Sequence, residues 1–296
     1  MVYSGIYRKT VQVVNSLARM TVLRAWLAGW TCFFIPTLLL PHIPHTIYSQ
    51  PISDKPEPGS LAEDEVSKTD QPLLLPDLLT LPPFDLRIVH LAGDKRLLRL
   101  SNTIWNNGEG SLELNGEISP SNNQIWVYQN IVVSDGSLLK NFVGEFVWHL
   151  SHEHWHFEDF TLYELWSLKP NGVLDSVIVS SDKLSYCVMD TDPVNRDNPA
   201  FIPRRNYFDC GQNLQGLSAG WGDTYKSHLV GQALDITNLP DGYYALISSV
   251  NPNAVVLEAD YKNNRGIVYL EIRDNQLKEI TFEEIRQGDC KKHCWS

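Results

Sequence analysis

From residue 84 onward, apolar and polar positions alternate in short runs with a period near two. The runs FDLRIVHL (84–91), RLLRLSNTIW (96–105), GSLELNG (110–116), QIWVYQNIVV (124–133) and FVGEFVWHL (142–150) are rich in β-branched and aromatic residues. So are DFTLYELWSL (159–168), VLDSVIVSS (173–181), GYYALISSV (242–250) and GIVYLEI (266–272). Side chains that recur at every second residue line one face of a strand, so each run predicts a strand with one face turned to a core. Turn formers separate the runs: Asn-Asn-Gly at 106–108, Ser-Asn-Asn at 121–123, Asp-Gly at 135–136 and Pro-Asn-Gly at 170–172. No long helical period follows the first 73 residues, and no internal repeat is present. The predicted fold class is mainly β, an antiparallel β-sandwich with long functional loops.

The N-terminal part has another pattern. Arg8, Lys9, Arg19 and Arg24 stand in a stretch without an acid, and Ala25 to Pro41, AWLAGWTCFFIPTLLLP, carries no charge. A cationic segment followed by an apolar one predicts an N-terminal apolar helix within residues 1–49, acting as a signal peptide or a retained membrane anchor. Either implies an extracytoplasmic protein, secreted or membrane-attached. Residues 50–73 are rich in Pro, Ser, Asp and Glu and predict a flexible linker. Residues 74–273 then form one domain, and 274–296 a polar tail.

The formal net charge of −11 includes those N-terminal cations, so the rest of the chain is more acidic than the whole. An acidic surface repels phosphate backbones and excludes nucleic acid as the expected partner. It is compatible with cationic amines.

Candidate chemistry concentrates in HLSHEHWH, residues 149–156, which holds four of the chain's nine histidines. Neutral imidazoles are common metal ligands, whereas protonated ones repel each other, so their crowding points to a metal. His152, His154 and His156 recur at every second residue and would share one face of a strand. In a straight strand the outer two would stand about 13 Å apart, so a twist, bulge or turn is expected here. His149 lies off the spacing and is assigned a supporting role.

Among the cysteines, Cys32 lies in the apolar segment, leaving Cys187, Cys210, Cys290 and Cys294. Four allow three pairings, of which Cys187 with Cys210 and Cys290 with Cys294 close the shortest loops. The stretch from about Asp190 to Gly222 is rich in Pro, Asn, Arg and Gly, the composition of a long functional loop.

The run FVWHLSHEHWHFEDFTLYELWSL resembles the copper-binding segment of the lysyl oxidase family, Trp-x-Trp-His-x-Cys-His-x-His-Tyr-His, through Trp148, His149, His152, His154 and His156. The segment SSDKLSYC is similar to the family's Gly-His-Lys-x-Ser-Phe-Cys, and GLSAGWGDTYKS to Gly-Leu-Ser-x-Gly-x-x-Asp-Thr-Tyr. Further similarity in LDITNLPDGYYALISSVNP and LEADYKNN extends the resemblance over roughly residues 74 to 272.

The resemblance implies copper on His152, His154 and His156, and a lysine tyrosylquinone built from Lys183 and Tyr225. The implied activity is oxidation of primary amines or peptidyl lysine by molecular oxygen, giving an aldehyde, hydrogen peroxide and ammonia. Asp223 is a candidate base from its place two residues before Tyr225. The resemblance also implies calcium, held by Asp77, the Leu78 carbonyl, Glu258, Asp260, Asn263 and Asn264, hard oxygen donors suited to that ion.

Departures from the family pattern are Ser151 in place of the cysteine within the histidine motif, and Gly220 and Gly231 near the positions of two other cysteines. The loss at Ser151 leaves Cys210 free to bond Cys187. Two other functions compete: a non-catalytic copper-binding module, and a zinc hydrolase using the three imidazoles with Glu153 or Glu158. Hydrolysis needs neither Lys183 nor Tyr225, which weighs against the latter.

Overall fold

The computed structural model describes residues 55–59, 71–169, 171–182 and 184–285. The apolar helix expected within residues 1–49, most of the linker, Lys183, Cys290 and Cys294 lie outside the described residues. No helix among the described residues is long and apolar enough to cross a membrane.

The first strands are β1 (Leu73–Leu74), β2 (Leu78–Thr80), β3 (Phe84–His90), β4 (Arg96–Asn106), β5 (Leu112–Ile118) and β6 (Ile125–Val133). There follow β7 (Leu138–His149), β8 (His154–Leu168), β9 (Leu174–Ser180), β10 (Leu184–Tyr186), β11 (Asp192–Pro193) and β12 (Leu214–Leu217). The chain continues through β13 (Trp221–Tyr225), β14 (Ala233–Asp235), β15 (Gly242–Val250), β16 (Arg265–Arg273), β17 (Gln276–Ile280) and a single helical turn, α1 (Phe282–Glu284). The architecture is mainly antiparallel β. An eleven-stranded sheet runs β12-β5-β6-β7-β8-β15-β16-β17, with β1 on β6 and β9 and β10 on β8. A six-stranded sheet runs β11-β13-β4-β14, with β2 and β3 on β4.

The alternation in the sequence explains the packing. Along β4, Leu98, Leu100 and Ile104 recur at even positions and are fully buried. Each contributes about 1.5–3 kcal/mol from removal of its side chain from water. Ile104, Trp221 and Tyr225 of the smaller sheet join Leu112, Leu114, Phe146 and Phe157 of the larger one in a shared core. That core carries the tyrosine strand β13 against the histidine strand β8.

Two stretches assigned to linker and tail take part in the sheets. Leu73 pairs with Val133, and β17 pairs antiparallel with β16 beyond Arg273. Both are short pieces with little local periodicity, and strand partners ordered elsewhere supply their hydrogen bonds.

Candidate metal centre and adjoining tyrosine

The histidines meet because the chain reverses among them. β7 ends at His149 and β8 begins at His154, with His149 directly opposite His154 in the register. Leu150 to Glu153 form the turn, in which the amides of His152 and Glu153 both donate to the His149 carbonyl (3.1 and 2.8 Å). Glu153 takes a φ of 57°, the left-handed conformation that closes the reversal. Thus His154 and His156 share a strand face, whereas His152 enters from the turn; a turn resolves the reach problem that a straight strand would pose.

His149, set apart by its spacing, belongs to the cluster. Its ring stacks on that of His156 at 4.6 Å and lies 4.5 Å from that of His152. One ring nitrogen from each of His149, His152 and His156 falls within 4.8 Å of the others. The His154 ring is 4.8 Å from His156 and 5.6 Å from His152. The clue in the sequence was symmetry about a four-residue turn, which spacing along one strand does not reveal.

His156 is the fixed member. It is 1 % exposed, with Nδ1 3.0 Å from Ser185 Oγ and Nε2 3.2 Å from His152 Nδ1. Burial, reinforced by the neighbouring imidazoles, pushes its pKa down to about 3. Burial likewise lowers His152 and His154. These downward shifts at His152, His154 and His156 favour neutral imidazole, the form that binds metal. The Nε2 of His152 is buried without a hydrogen-bond partner. Convergent neutral nitrogens and an orphaned ring nitrogen fit a borderline-soft ion such as copper or zinc.

Tyr225 ends β13, and its ring lies 6.3 Å from that of His156. Tyr186 stacks on it at 3.8 Å, and the Cys187 amide donates to its hydroxyl at 2.7 Å. Burial, with Asp223 nearby, raises the Tyr225 phenol well above its usual value. Tyr186 is itself fixed by a 2.6 Å bond to the Tyr163 hydroxyl, which donates to Gln232 Oε1 at 2.9 Å. Although Lys183 lies outside the described residues, the three residues from Ser185 to Cys187 touch His156 and Tyr225 in turn. None of these contacts could be read from the sequence.

A cleft of about 350 Å³ joins the two groups, lined by His152, His154, Cys187, Cys210, Asp223 and Tyr225 among others. Asp223 and Tyr225 are two residues apart on β13 and both reach it. Asp223 is fully buried, and neither carboxylate oxygen has a hydrogen-bond partner of good geometry. Burial, with Asp190 and Asp192 adding repulsion, raises its pKa well above the carboxylate range. A carboxyl that holds its proton more tightly when folded gives stability below the unfolded pKa that is lost as pH rises toward the folded one. Asp223→Asn is therefore expected to raise the melting temperature at neutral pH and to flatten its decline from mildly acid to neutral solution. An unchanged pH profile in thermal melts would contradict this.

Cys187 and Cys210 form a disulfide in the cleft wall. Gly220, near a position where the family pattern has cysteine, has a φ of +79°, and a Cβ there would meet the Asn195 carbonyl at 2.3 Å. A side chain at 220 would thus drive the 190–201 loop off β13.

The oxygen-rich positions also assemble. Glu258 accepts from the Leu78 amide (2.9 Å) and from Asn264 Nδ2 (2.7 Å), while Asn263 Nδ2 donates to Asp77 at 2.8 Å. Leu78 thus turns its amide to Glu258. Asp260 is exposed and accepts from the Lys262 amide. Burial raises the Glu258 pKa. The Oδ1 atoms of Asn263 and Asn264 are buried without a donor, a deficit that a hard cation would remedy.

The profile of the family described as Lysyl oxidase matches residues 138–281. The chain is 30% identical over 175 residues to lysyl oxidase homolog 2 of Gallus gallus, covering 58% of this chain and 18% of that protein. It is 31% identical over 173 residues to the Homo sapiens protein of the same name, covering 58% and 18%. It is 35% identical over 127 residues to protein-lysine 6-oxidase of Sus scrofa, covering 43% of this chain and 46% of the relative. The matched segments thus span less than half the length of these relatives.

Proposed function

The chain belongs to the lysyl oxidase family, and from that premise we propose that it is an extracytoplasmic copper- and quinone-dependent amine oxidase. It would convert a primary amine, free or as peptidyl lysine, to an aldehyde, with oxygen as acceptor and peroxide and ammonia as products. The observation that carries this reading is the meeting of the imidazole cluster and Tyr225 at one cleft, their nearest rings 6.3 Å apart. His152, His154 and His156 would hold the copper, with His149 in reach of the same ion. Copper bound there would supply redox chemistry at the phenol, and a quinone joined from Tyr225 and Lys183 would supply an electrophilic carbonyl for a primary amine.

The protein's own groups divide the remaining work. Ser185 orients His156, as a hydrogen bond on the second ring nitrogen orients metal-binding imidazoles generally. Tyr186 and the Cys187 amide hold the Tyr225 ring in place, so that its edge meets the cluster without rearrangement. Asp223 accepts the proton removed from the carbon beside the amine. Its burial without a hydrogen bond of good geometry makes it a stronger base than an exposed carboxylate once ionised. The glutamates that a zinc hydrolase would need are less well placed: Glu153 and Glu158 are both exposed, and neither lines the cleft.

Peptide mapping tests the reading directly. Full-length protein expressed with copper and oxygen, then digested, is expected to yield one covalent peptide pair joining Lys183 to Tyr225. His156→Ala is expected to lose bound copper and the joined peptide together. Two separate peptides from fully copper-loaded protein would refute the quinone.

We further propose that Asp77, Glu258, Asn263 and Asn264 hold calcium, with Leu78 and Asp260 completing the set. At a hundredfold excess over its dissociation constant, a bound ion stabilises the folded state by about 2.7 kcal/mol. Chelation should therefore lower the melting temperature by about 5–10 °C in a domain of this size. Added calcium should restore it, and Glu258→Gln should remove the response; a melting curve indifferent to chelator would exclude the site.

A further inference from the structure

We propose that reduction of the Cys187–Cys210 disulfide opens a second metal site, in which His154, Cys187 and Cys210 bind a soft ion such as copper(I). One ring nitrogen of His154 and the two sulfurs all lie within 4.8 Å of one another, and all three residues line the cleft. While the sulfurs are joined they are poor ligands. A dithiol reductant would pass two electrons and two protons to the S–S bond and itself close to a disulfide. The two thiols then lose their protons to the solvent as the ion binds, with no change in the metal's oxidation state.

The three ligands stay together without the S–S bond because one buried amide ties their segments. Gln215 is fully buried. Its Oε1 accepts from the amide of Val188, next to Cys187, at 3.0 Å. Its Nε2 donates to the carbonyl of Gly211, next to Cys210, at 3.1 Å and to that of Trp155, next to His154, at 2.9 Å. The Trp155 amide also donates to the Cys210 carbonyl at 3.2 Å, and the Cys187 amide remains bonded to Tyr225. Opening the bond lets the sulfurs part to the roughly 3.8 Å that two thiolates need around one ion at about 2.3 Å each. Exchange with an external disulfide, which would take up the two electrons, closes the pair again and withdraws two of the three ligands. His154 is then left to the imidazole cluster, so the redox state of one cysteine pair decides where a metal sits. The hand-over to the cluster rests on the copper reading above, whereas the thiol site does not.

The test uses the full chain carrying Cys32→Ser, Cys290→Ser and Cys294→Ser, freed of metal and reduced anaerobically with a phosphine. Cadmium(II) serves as the probe through its ultraviolet thiolate charge-transfer band, and copper(I) by competition with a coloured copper(I) chelator. The reduced protein is expected to bind one ion with a band of two-thiolate intensity, and the oxidised protein to show none. His154→Ala and Gln215→Leu should each weaken binding to the reduced form by at least about tenfold. His152→Ala separates the two readings: it should strip copper(II) from the oxidised protein and leave the cadmium band of the reduced protein standing. No band on reduction, an equal band in the oxidised protein, or unchanged affinity in His154→Ala would each overturn the proposal.

Discussion

On the proposed amine oxidase reading, Tyr225→Phe is expected to bring amine oxidation down to the uncatalysed background while the protein remains folded and binds copper as the parent does. The phenol oxygen is the atom that oxidation to a quinone requires, and phenylalanine has none to offer. The loss would be about 10⁶-fold or more, the lower end of ordinary enzymatic acceleration. A structural effect accompanies it, because the Cys187 amide would lose its acceptor in a buried place. Such an orphaned donor costs about 1–3 kcal/mol. The ring itself, stacked on Tyr186 and packed in the shared core, is kept. Peroxide release with a benzylic amine measures the first effect and thermal melting the second. Residual oxidation above background in a variant with full copper would remove Tyr225 from the chemistry.

Asp190→Ala is expected to cause the largest loss of stability, about 4 kcal/mol, and with it a fall in melting temperature of roughly 8–16 °C. The Asp190 carboxylate is fully buried and accepts from the amides of Asn206 (2.9 Å), Tyr207 (3.2 Å) and Ser218 (2.8 Å) and from the Ser218 hydroxyl (2.8 Å). Alanine leaves those donors unpaired, and their costs add incompletely because they share one partner. The consequence reaches the site. Residues 206 and 207 lead to Cys210, and Ser218 leads into β13, which carries Asp223 and Tyr225. Limited proteolysis should accordingly open the segment between Asp190 and Gly211 in this variant first. Asp190→Asn, which keeps one acceptor oxygen, should lose about half as much. Melting temperatures of both variants within a degree of the parent would show that the loop is held by other means.

The strands were legible because their signal is local. Alternation in RLLRLSNTIW and GYYALISSV marks a buried face whatever the partner strand, and β4 and β15 form there. The short strands β11, β12 and β14 carry too few residues for a period to register, and partners remote in sequence order them. At the site, histidine crowding pointed toward a metal, and the resemblance singled out Tyr225 and Lys183, which composition alone would leave among ordinary core tyrosines and solvated lysines.

The sequence by itself determined the mainly β class, the crowding of histidines at residues 149–156 and, through ordered motifs, the resemblance to the lysyl oxidase family. Tertiary structure decided which groups meet: His149 across the hairpin from His154, Ser185 on His156, Tyr186 against Tyr225, and Gln215 bridging three segments. The physical reason is range. Alternation and turn chemistry act over a few residues along the chain, whereas a stacked ring or a shared carboxylate depends on strand register and sheet packing that no local pattern encodes.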